Sequence, residues 1–239
     1  AIEKYKLELL PTSPTFLHML LLGRYYDKYD LSSLKIISYG SEPMPASTLT
    51  RMHQIFPDVR MKQTYGLTEL GAIRTKSKSS DSLWMKIGGD VHHQTKVVNG
   101  ILYVRSDMAM LGYLNAEAPF DEEGWYNTGD HVEVDGDYFL IQGRDCERIN
   151  VGGEKVYPAE VESVLLSIEG VEDAAVVGVP NLILGQVVEA RIYSNEDQSL
   201  LTKRIKAVCK EKLEKYKRPM KIVYVDAPFC SDRFKKKRS

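Results

Sequence analysis

The chain has 239 residues, 43% of them apolar, enough to build one large core or two modest ones. Its 32 lysines and arginines against 33 aspartates and glutamates leave a formal charge of −1, so no overall electrostatic footprint points to nucleic acid or a membrane surface. Three widely spaced cysteines, Cys146, Cys209 and Cys230, form no CxxC pair and no cluster with histidine. They indicate neither a disulfide framework nor a zinc site and fit a reduced, cytoplasmic setting. The apolar run over residues 16–22 is interrupted by His18 and is too short to span a bilayer, and no basic leader precedes it. With alanine at position 1, the chain reads as a fragment of a longer protein.

Residues 7–10 are predicted as a short strand running into Pro11-Thr12-Ser13-Pro14, and the spacing over 15–22 predicts a helix opened by that turn. A buried strand over 34–39 ends at Gly40-Ser41-Glu42-Pro43, a helix follows over 46–55, and a further strand covers 59–65. Strands alternating with helices imply a parallel sheet, in which ligands collect beyond the carboxyl ends of the strands. Gly40-Ser41-Glu42 and Thr64-Tyr65-Gly66-Leu67-Thr68-Glu69 would share that edge. The second stretch offers an aromatic face for a base, a glycine for close backbone approach, a hydroxyl for a phosphate oxygen and a carboxylate for a hard cation. Alone, it also fits a strand ending in an ordinary turn.

From residue 75 the texture changes to short alternating runs, at 100–105, 131–134 and 138–141, with Asp135-Gly136-Asp137 as the turn between the last two. This predicts an antiparallel, barrel-like region. Met110-Leu111-Gly112-Tyr113-Leu114-Asn115 and Gly124-Trp125-Tyr126-Asn127-Thr128-Gly129-Asp130 are expected between its strands. After Gly143-Arg144 the pattern becomes α+β: a helix over 158–167 with proline in its first turn, strands over 174–179 and 187–193, a helix over 200–216 and a strand over 221–225. The expected organisation is an α/β and barrel-like domain over 1–144 and a small α+β domain over 145–239.

These motifs, in this order, resemble the carboxyl-terminal part of the adenylate-forming superfamily of acyl-CoA synthetases, luciferases and peptide-synthetase adenylation domains. The resemblance rests on Gly40-Ser41-Glu42-Pro43, Tyr65-Gly66-Leu67-Thr68-Glu69, Tyr126-Asn127-Thr128-Gly129-Asp130, and the run from Gly143-Arg144 through Val151-Gly152-Gly153-Glu154 to Pro158-Ala159-Glu160-Val161-Glu162. It implies that Gly40, Ser41 and Glu42 line the adenine and acyl pocket, and that Tyr65 and Gly66 lie against the adenine. Thr68 would reach the α-phosphate and Glu69 would hold Mg²⁺. Asp130 would accept hydrogen bonds from both ribose hydroxyls, with Arg144 assisting. Gly152 and Gly153 would line a pantetheine passage, although paired glycines after a strand also suit a plain turn.

The implied activity is an AMP-forming acid-thiol ligase of the acyl-CoA synthetase type, using ATP, Mg²⁺ and CoA on a carboxylic acid. Loading of a phosphopantetheinyl carrier protein and a non-catalytic AMP-binding relative are the alternatives. The fragment, lacking the family's phosphate-binding loop, is expected to be inactive alone. Two positions depart from the family pattern. The pivot between domains, usually aspartate or lysine, is Cys146, where backbone freedom suffices. In the terminal glycine-lysine motif, an ungapped alignment puts Phe234 on the glycine and Lys235 on the catalytic lysine, whereas a one-residue gap moves Phe234 onto the lysine. Lys236 and Lys237 beside it could equally belong to a solvated basic tail.

Overall fold

A computed structural model describes residues 1–232 and 234–238 of the chain. The amino-terminal part contains helix α1 (Ile2–Tyr5), strand β1 (Leu9–Thr12), helices α2 (Pro14–Leu22) and α3 (Tyr25–Lys28), strand β2 (Ile36–Tyr39), helix α4 (Ala46–Ile55) and strand β3 (Arg60–Gln63). The strands form a parallel sheet in the order β1-β2-β3, with Leu9 beside Ile36 and Ile36 beside Arg60. Alternate residues of β2, Ile37 and Tyr39, are buried, as period-two patterning requires. β1 begins two residues later than its apolar letters suggest and takes in Pro11. A missing donor is tolerated there because β1 lies at the edge of the sheet.

The strand expected over 59–65 is instead broken at Thr64. Its N–H and its hydroxyl both donate to Tyr39 O, at 2.8 and 3.0 Å, which ends the β3 ladder. The chain then folds into a separate antiparallel hairpin, β4 (Tyr65–Leu67) and β5 (Gly71–Ile73), with Thr68, Glu69 and Leu70 at its tip. Next come β6 (Thr75–Ser77), β7 (Met85–Ile87), β8 (His93–Val98), β9 (Ile101–Ser106), β10 (Trp125–Asp135) and β11 (Tyr138–Arg144). They make a six-stranded antiparallel sheet in the order β6-β7-β11-β10-β9-β8. Its core gathers Tyr65, Leu70, Met85, Leu102, Val104, Val132 and Phe139.

The stretch Tyr126-Asn127-Thr128-Gly129-Asp130, expected between strands, lies inside β10. Gly129 adopts φ +68° at an irregularity where the β9 pairing jumps from Asn127 to His131, so the strand continues through a residue that signals a loop.

Beyond β11 a 3₁₀ turn (Asp145–Glu147) leads to the hairpin β12 (Ile149–Val151) and β13 (Glu154–Val156), helix α5 (Pro158–Leu165), strands β14 (Asp173–Asn181) and β15 (Gly185–Tyr193), helix α6 (Gln198–Lys212) and strand β16 (Lys221–Val225). β14 pairs along the whole of β15, while β12 meets the start of β15 and β16 runs parallel to its second half. Asp197 caps α6, its carboxylate accepting from Leu200 N at 2.9 Å. Val161 and Leu165 of α5, Leu201 and Ile205 of α6, and Val176, Val188 and Ile192 of the sheet share one core.

The chain separates into two compact units. The first comprises Ala1–Ser13, Tyr26–Pro43 and His53–Asp145; the second comprises Pro14–Tyr25, Met44–Met52 and everything from Cys146 onward. Two amino-terminal segments are therefore grouped with the carboxyl-terminal α+β part, whereas a contiguous split was expected at 144/145. Among the described residues no helix is long and apolar enough to cross a membrane.

Candidate functional site

In the first unit, four separated stretches meet. Gly40 follows β2 and lies against Thr64 at the end of β3: a Cβ at Gly40 would sit 2.4 Å from Thr64 Oγ1 and 2.7 Å from Thr64 O. Ser41, with φ +70°, and Glu42 continue from there, so Gly40-Ser41-Glu42 and Tyr65-Gly66 do share the carboxyl edge of the parallel sheet. The glycines serve the fold before any ligand. A Cβ at Gly66 would come within 2.7 Å of Gly71 O across the β4–β5 hairpin.

Tyr65 is buried, and its hydroxyl donates to Asp130 Oδ2 at 2.5 Å, joining the first motif to β10 across 65 positions of sequence. Asp130 is 5% exposed, and Thr128 Oγ1 accepts from its backbone N–H at 3.1 Å. Arg144, directly opposite Asp130 in the β10–β11 register, brings Nε to 3.4 Å from Asp130 Oδ1 while its side chain stays exposed. The next residue on β10, the buried His131, pairs instead with Asp145, the last residue of the first unit, at 3.0 Å.

Thr68 is exposed at the hairpin tip. Glu69 beside it accepts a short hydrogen bond from the Tyr113 hydroxyl, and the Tyr126 hydroxyl also acts on its carboxylate. Its backbone carbonyl accepts from Met110 N at 2.9 Å, which fixes the 110–115 stretch against the tip. Tyr113 and Tyr126 are the site residues to which sequence reasoning gave no role. Each lies in a stretch noted for other reasons, and no local spacing links either to position 69.

Burial raises the Asp130 pKa above the ordinary carboxylate value; the Tyr65 hydroxyl and the Arg144 charge act the other way. Burial also raises the Tyr65 phenol strongly, reinforced by the charge of Asp130. At Glu69 burial is outweighed by the bonds from Tyr113 and Tyr126 and by the Arg144 charge, so its carboxylate titrates below the usual range. The Tyr113 phenol is pushed up to about 12, chiefly by its hydrogen bond to Glu69. The first unit thus presents two carboxyl groups near one guanidinium. One is buried and pinned by a phenol; the other stands at a hairpin tip with tyrosines around it.

In the second unit Cys146 is exposed within the 3₁₀ turn. Gly152 and Gly153 form the exposed tip of the β12–β13 hairpin, with φ +61° and +98°; a Cβ on Gly153 would meet open space. Lys235 is exposed in the carboxyl-terminal segment. Phe234 before it has φ +51°, a backbone conformation natural to glycine and costly for a phenylalanine. The neighbouring Lys236 turns inward to Asp173, at 3.4 Å.

Residues 1–114 match the family of AMP-binding enzymes, and residues 160–235 match the AMP-binding enzyme C-terminal domain. An indoleacetate–CoA ligase from Aromatoleum aromaticum is 31% identical over 95% of this chain and 48% of its own length. A 4-coumarate–CoA ligase 1 from Glycine max is 30% identical over 95% of this chain and 85% of its own length. Among solved structures, the anthranilate CoA ligase AuaEII in complex with anthranoyl-AMP superposes with a TM-score of 0.80 at 26% identity, covering 94% of this chain and 47% of that one. Against most of these ligases, the chain spans about half the length of the relative it matches.

Proposed function

This chain belongs to the family of AMP-binding enzymes, and from that premise we propose that the whole protein is an AMP-forming acid-thiol ligase of the acyl-CoA synthetase type. In the first half-reaction a carboxylate oxygen attacks the α-phosphorus of ATP and pyrophosphate leaves. In the second, the thiol of CoA attacks the acyl carbon, a thioester forms, and AMP and a proton are released. The observation that carries the reading is the Tyr65–Asp130–Arg144 contact, which joins three motifs of the family within one compact unit.

Each side chain then has a physical task. A carboxylate has about four lone-pair sites, so Asp130 can hold the Tyr65 hydroxyl and still accept from the two hydroxyls of a ribose. Burial and the phenol fix its orientation beforehand, which spares the cost of ordering it on binding. Tyr65 would lie against the adenine, with Gly40, Ser41, Glu42 and Gly66 forming the neighbouring wall. Thr68 offers its hydroxyl to the α-phosphate.

The ionised Glu69 fits a hard cation, and among the described residues no group of three His, Cys, Asp or Glu side chains could hold one without help. Glu69 would therefore be the protein's oxygen ligand to a Mg²⁺ otherwise carried by phosphates and water, an ion that neutralises charge on the phosphates when bound. The Lys235 ammonium supplies the second positive charge for a reaction in which an anion meets a polyanion.

Two functional domains, 1–144 and 145–239, would be joined at the pivot Cys146, and Gly152-Gly153 would line the pantetheine passage in the second step. The glycine conformations at those two positions support a backbone-lined passage. Three free cysteines, one of them exposed, support a reducing cytoplasmic setting.

Pyrophosphate exchange into ATP by the full-length protein, with a panel of aryl and aliphatic acids, tests the first step. Lys235→Ala should lower it roughly a hundred- to thousandfold, the usual cost of losing a preorganised charge donor. No exchange with any acid would contradict the ligase reading and favour a binding module. Thioester formation with CoA, but not with a phosphopantetheinylated carrier alone, is the expected result for the second step.

A further inference from the structure

The basic tail of this chain is two-sided. Beyond Phe229 the chain doubles back: Cys230 pairs with Lys236, Ser231 N donates to Lys235 O at 2.9 Å, and Lys237 N donates to Phe229 O at 3.1 Å. Extended backbone sends successive side chains to opposite faces. Lys235 and Lys237 are accordingly exposed, while Lys236 and Arg238 turn inward.

The inward pair meets two carboxylates that are almost wholly buried, Glu162 at 2% exposure and Asp173 at 3%. Arg238 grips Glu162 with two parallel bonds, Nε to Oε1 at 2.8 Å and Nη2 to Oε2 at 2.9 Å, and reaches Glu147 at 3.1 Å. The Lys236 ammonium lies 3.4 Å from Asp173 and 3.9 Å from Glu162. Both carboxylates are themselves held by the backbone of β14: Val176 N donates to Glu162 at 2.9 Å, and Ala174 N to Asp173 at 2.8 Å. Asp173 also accepts from Phe229 N at 2.8 Å, so one side chain ties both arms of the hairpin. Arg191 donates to Arg238 O at 3.0 Å and restrains the far end.

We propose that Lys236 and Arg238 are positioning residues: with Asp173 and Glu162 they clamp the carboxyl-terminal hairpin to β14 and thereby aim the outward Lys235 ammonium. The inference rests on the reading of Lys235 as the cation of the adenylation step. A lysine on a free tail would sample many directions. Planar, bidentate pairing of the Arg238 guanidinium with a buried carboxylate fixes the backbone three residues from Lys235 in both position and rotation. A uniformly solvated tail would have no use for charges of this kind at alternate positions.

The test uses the full-length protein and two assays: pyrophosphate exchange, which needs Lys235, and thioester formation from supplied acyl-adenylate, which does not. Arg238→Met and Lys236→Met should each lower kcat for exchange about tenfold or more, with KM for ATP within about twofold, because the charge remains but its aim is lost. Thioester formation should stay within about twofold of the parent, and Arg238→Lys, which keeps the charge without the fork, should fall between. Exchange at the parental rate in both variants, beside a Lys235→Ala protein that has lost it, overturns the clamp and leaves the reading of Lys235 standing. Equal losses in the two assays also overturn it, since they report a damaged fold. Full exchange in Lys235→Ala removes Lys235 from the chemistry, and the inference with it.

Discussion

Replacing Tyr65 with phenylalanine keeps the ring and removes one hydroxyl, the donor that lies 2.5 Å from Asp130 Oδ2. A hydrogen bond to a buried charged group is worth about 1.5–3 kcal/mol. Arg144 cannot take over, because it stands 3.4 Å away with its side chain 55% exposed and well hydrated. For a domain of this size each kcal/mol moves the melting temperature by about 2–4 °C, so Tyr65→Phe should melt about 3–12 °C lower at neutral pH.

The pH dependence has a definite sign. Burial holds the folded-state pKa of Asp130 above its ordinary 3.8, opposed by the Tyr65 hydroxyl and Arg144. A raised folded pKa means stability that is present below the unfolded pKa and lost as pH rises through the folded one. Removing the hydroxyl raises that pKa further and enlarges the loss on the alkaline side. The deficit of Tyr65→Phe should therefore be full at pH 7–8 and shrink on acidification through the Asp130 titration, toward the roughly 0.5–1.5 kcal/mol of a neutral hydrogen bond. Melting curves of parent and variant from pH 8 down to pH 4 measure this. A deficit that does not change with pH, or no deficit at all, would refute an ionised Asp130 held by Tyr65.

Two further perturbations follow from the same geometry. Gly66→Ala forces a Cβ to 2.7 Å from Gly71 O, a backbone atom with little room to yield, and should cost about 1–3 kcal/mol, read as a lower melting temperature without ligand. Glu69→Gln keeps the acceptor for Tyr113 but loses the charge, so half-saturation of pyrophosphate exchange should need about tenfold more Mg²⁺ or beyond; an unchanged Mg²⁺ curve would take Glu69 out of the metal site.

Long periodic segments were legible from the letters alone. The helix over Ala46–Ile55 and the strand over Lys221–Val225 have the expected bounds. Elements that depend on distant partners were not. β10 runs through Gly129 because β9 and β11 pair with it on either side, and no local pattern reports such support. The three-residue strands β12 and β13 are too short to show alternation, and only the paired glycines between them marked the place.

The site divides in the same way. Tyr65, Glu69, Asp130 and Arg144 stood out through motif chemistry, and the structure brings all four into one unit. Tyr113 escaped notice because its link to Glu69 spans 44 positions. Lys236 and Lys237 beside Lys235 suited a solvated basic tail in the letters, and the buried Glu162 and Asp173 distinguish one face of the run from the other. Gly66 was read for ligand approach, and its nearest constraint is the facing strand.

The central claim is that one nucleotide site is built around Asp130, and ribose recognition tests it directly. Calorimetry should compare AMP with its 2′,3′-dideoxy analogue on the full-length protein and on Asp130→Ala. The parent should bind AMP about tenfold or more tightly than the analogue, since a charge-assisted bond to each hydroxyl is lost together. Asp130→Ala should bind the two alike. A variant that keeps the parent's preference for AMP would place the ribose elsewhere and contradict the claim.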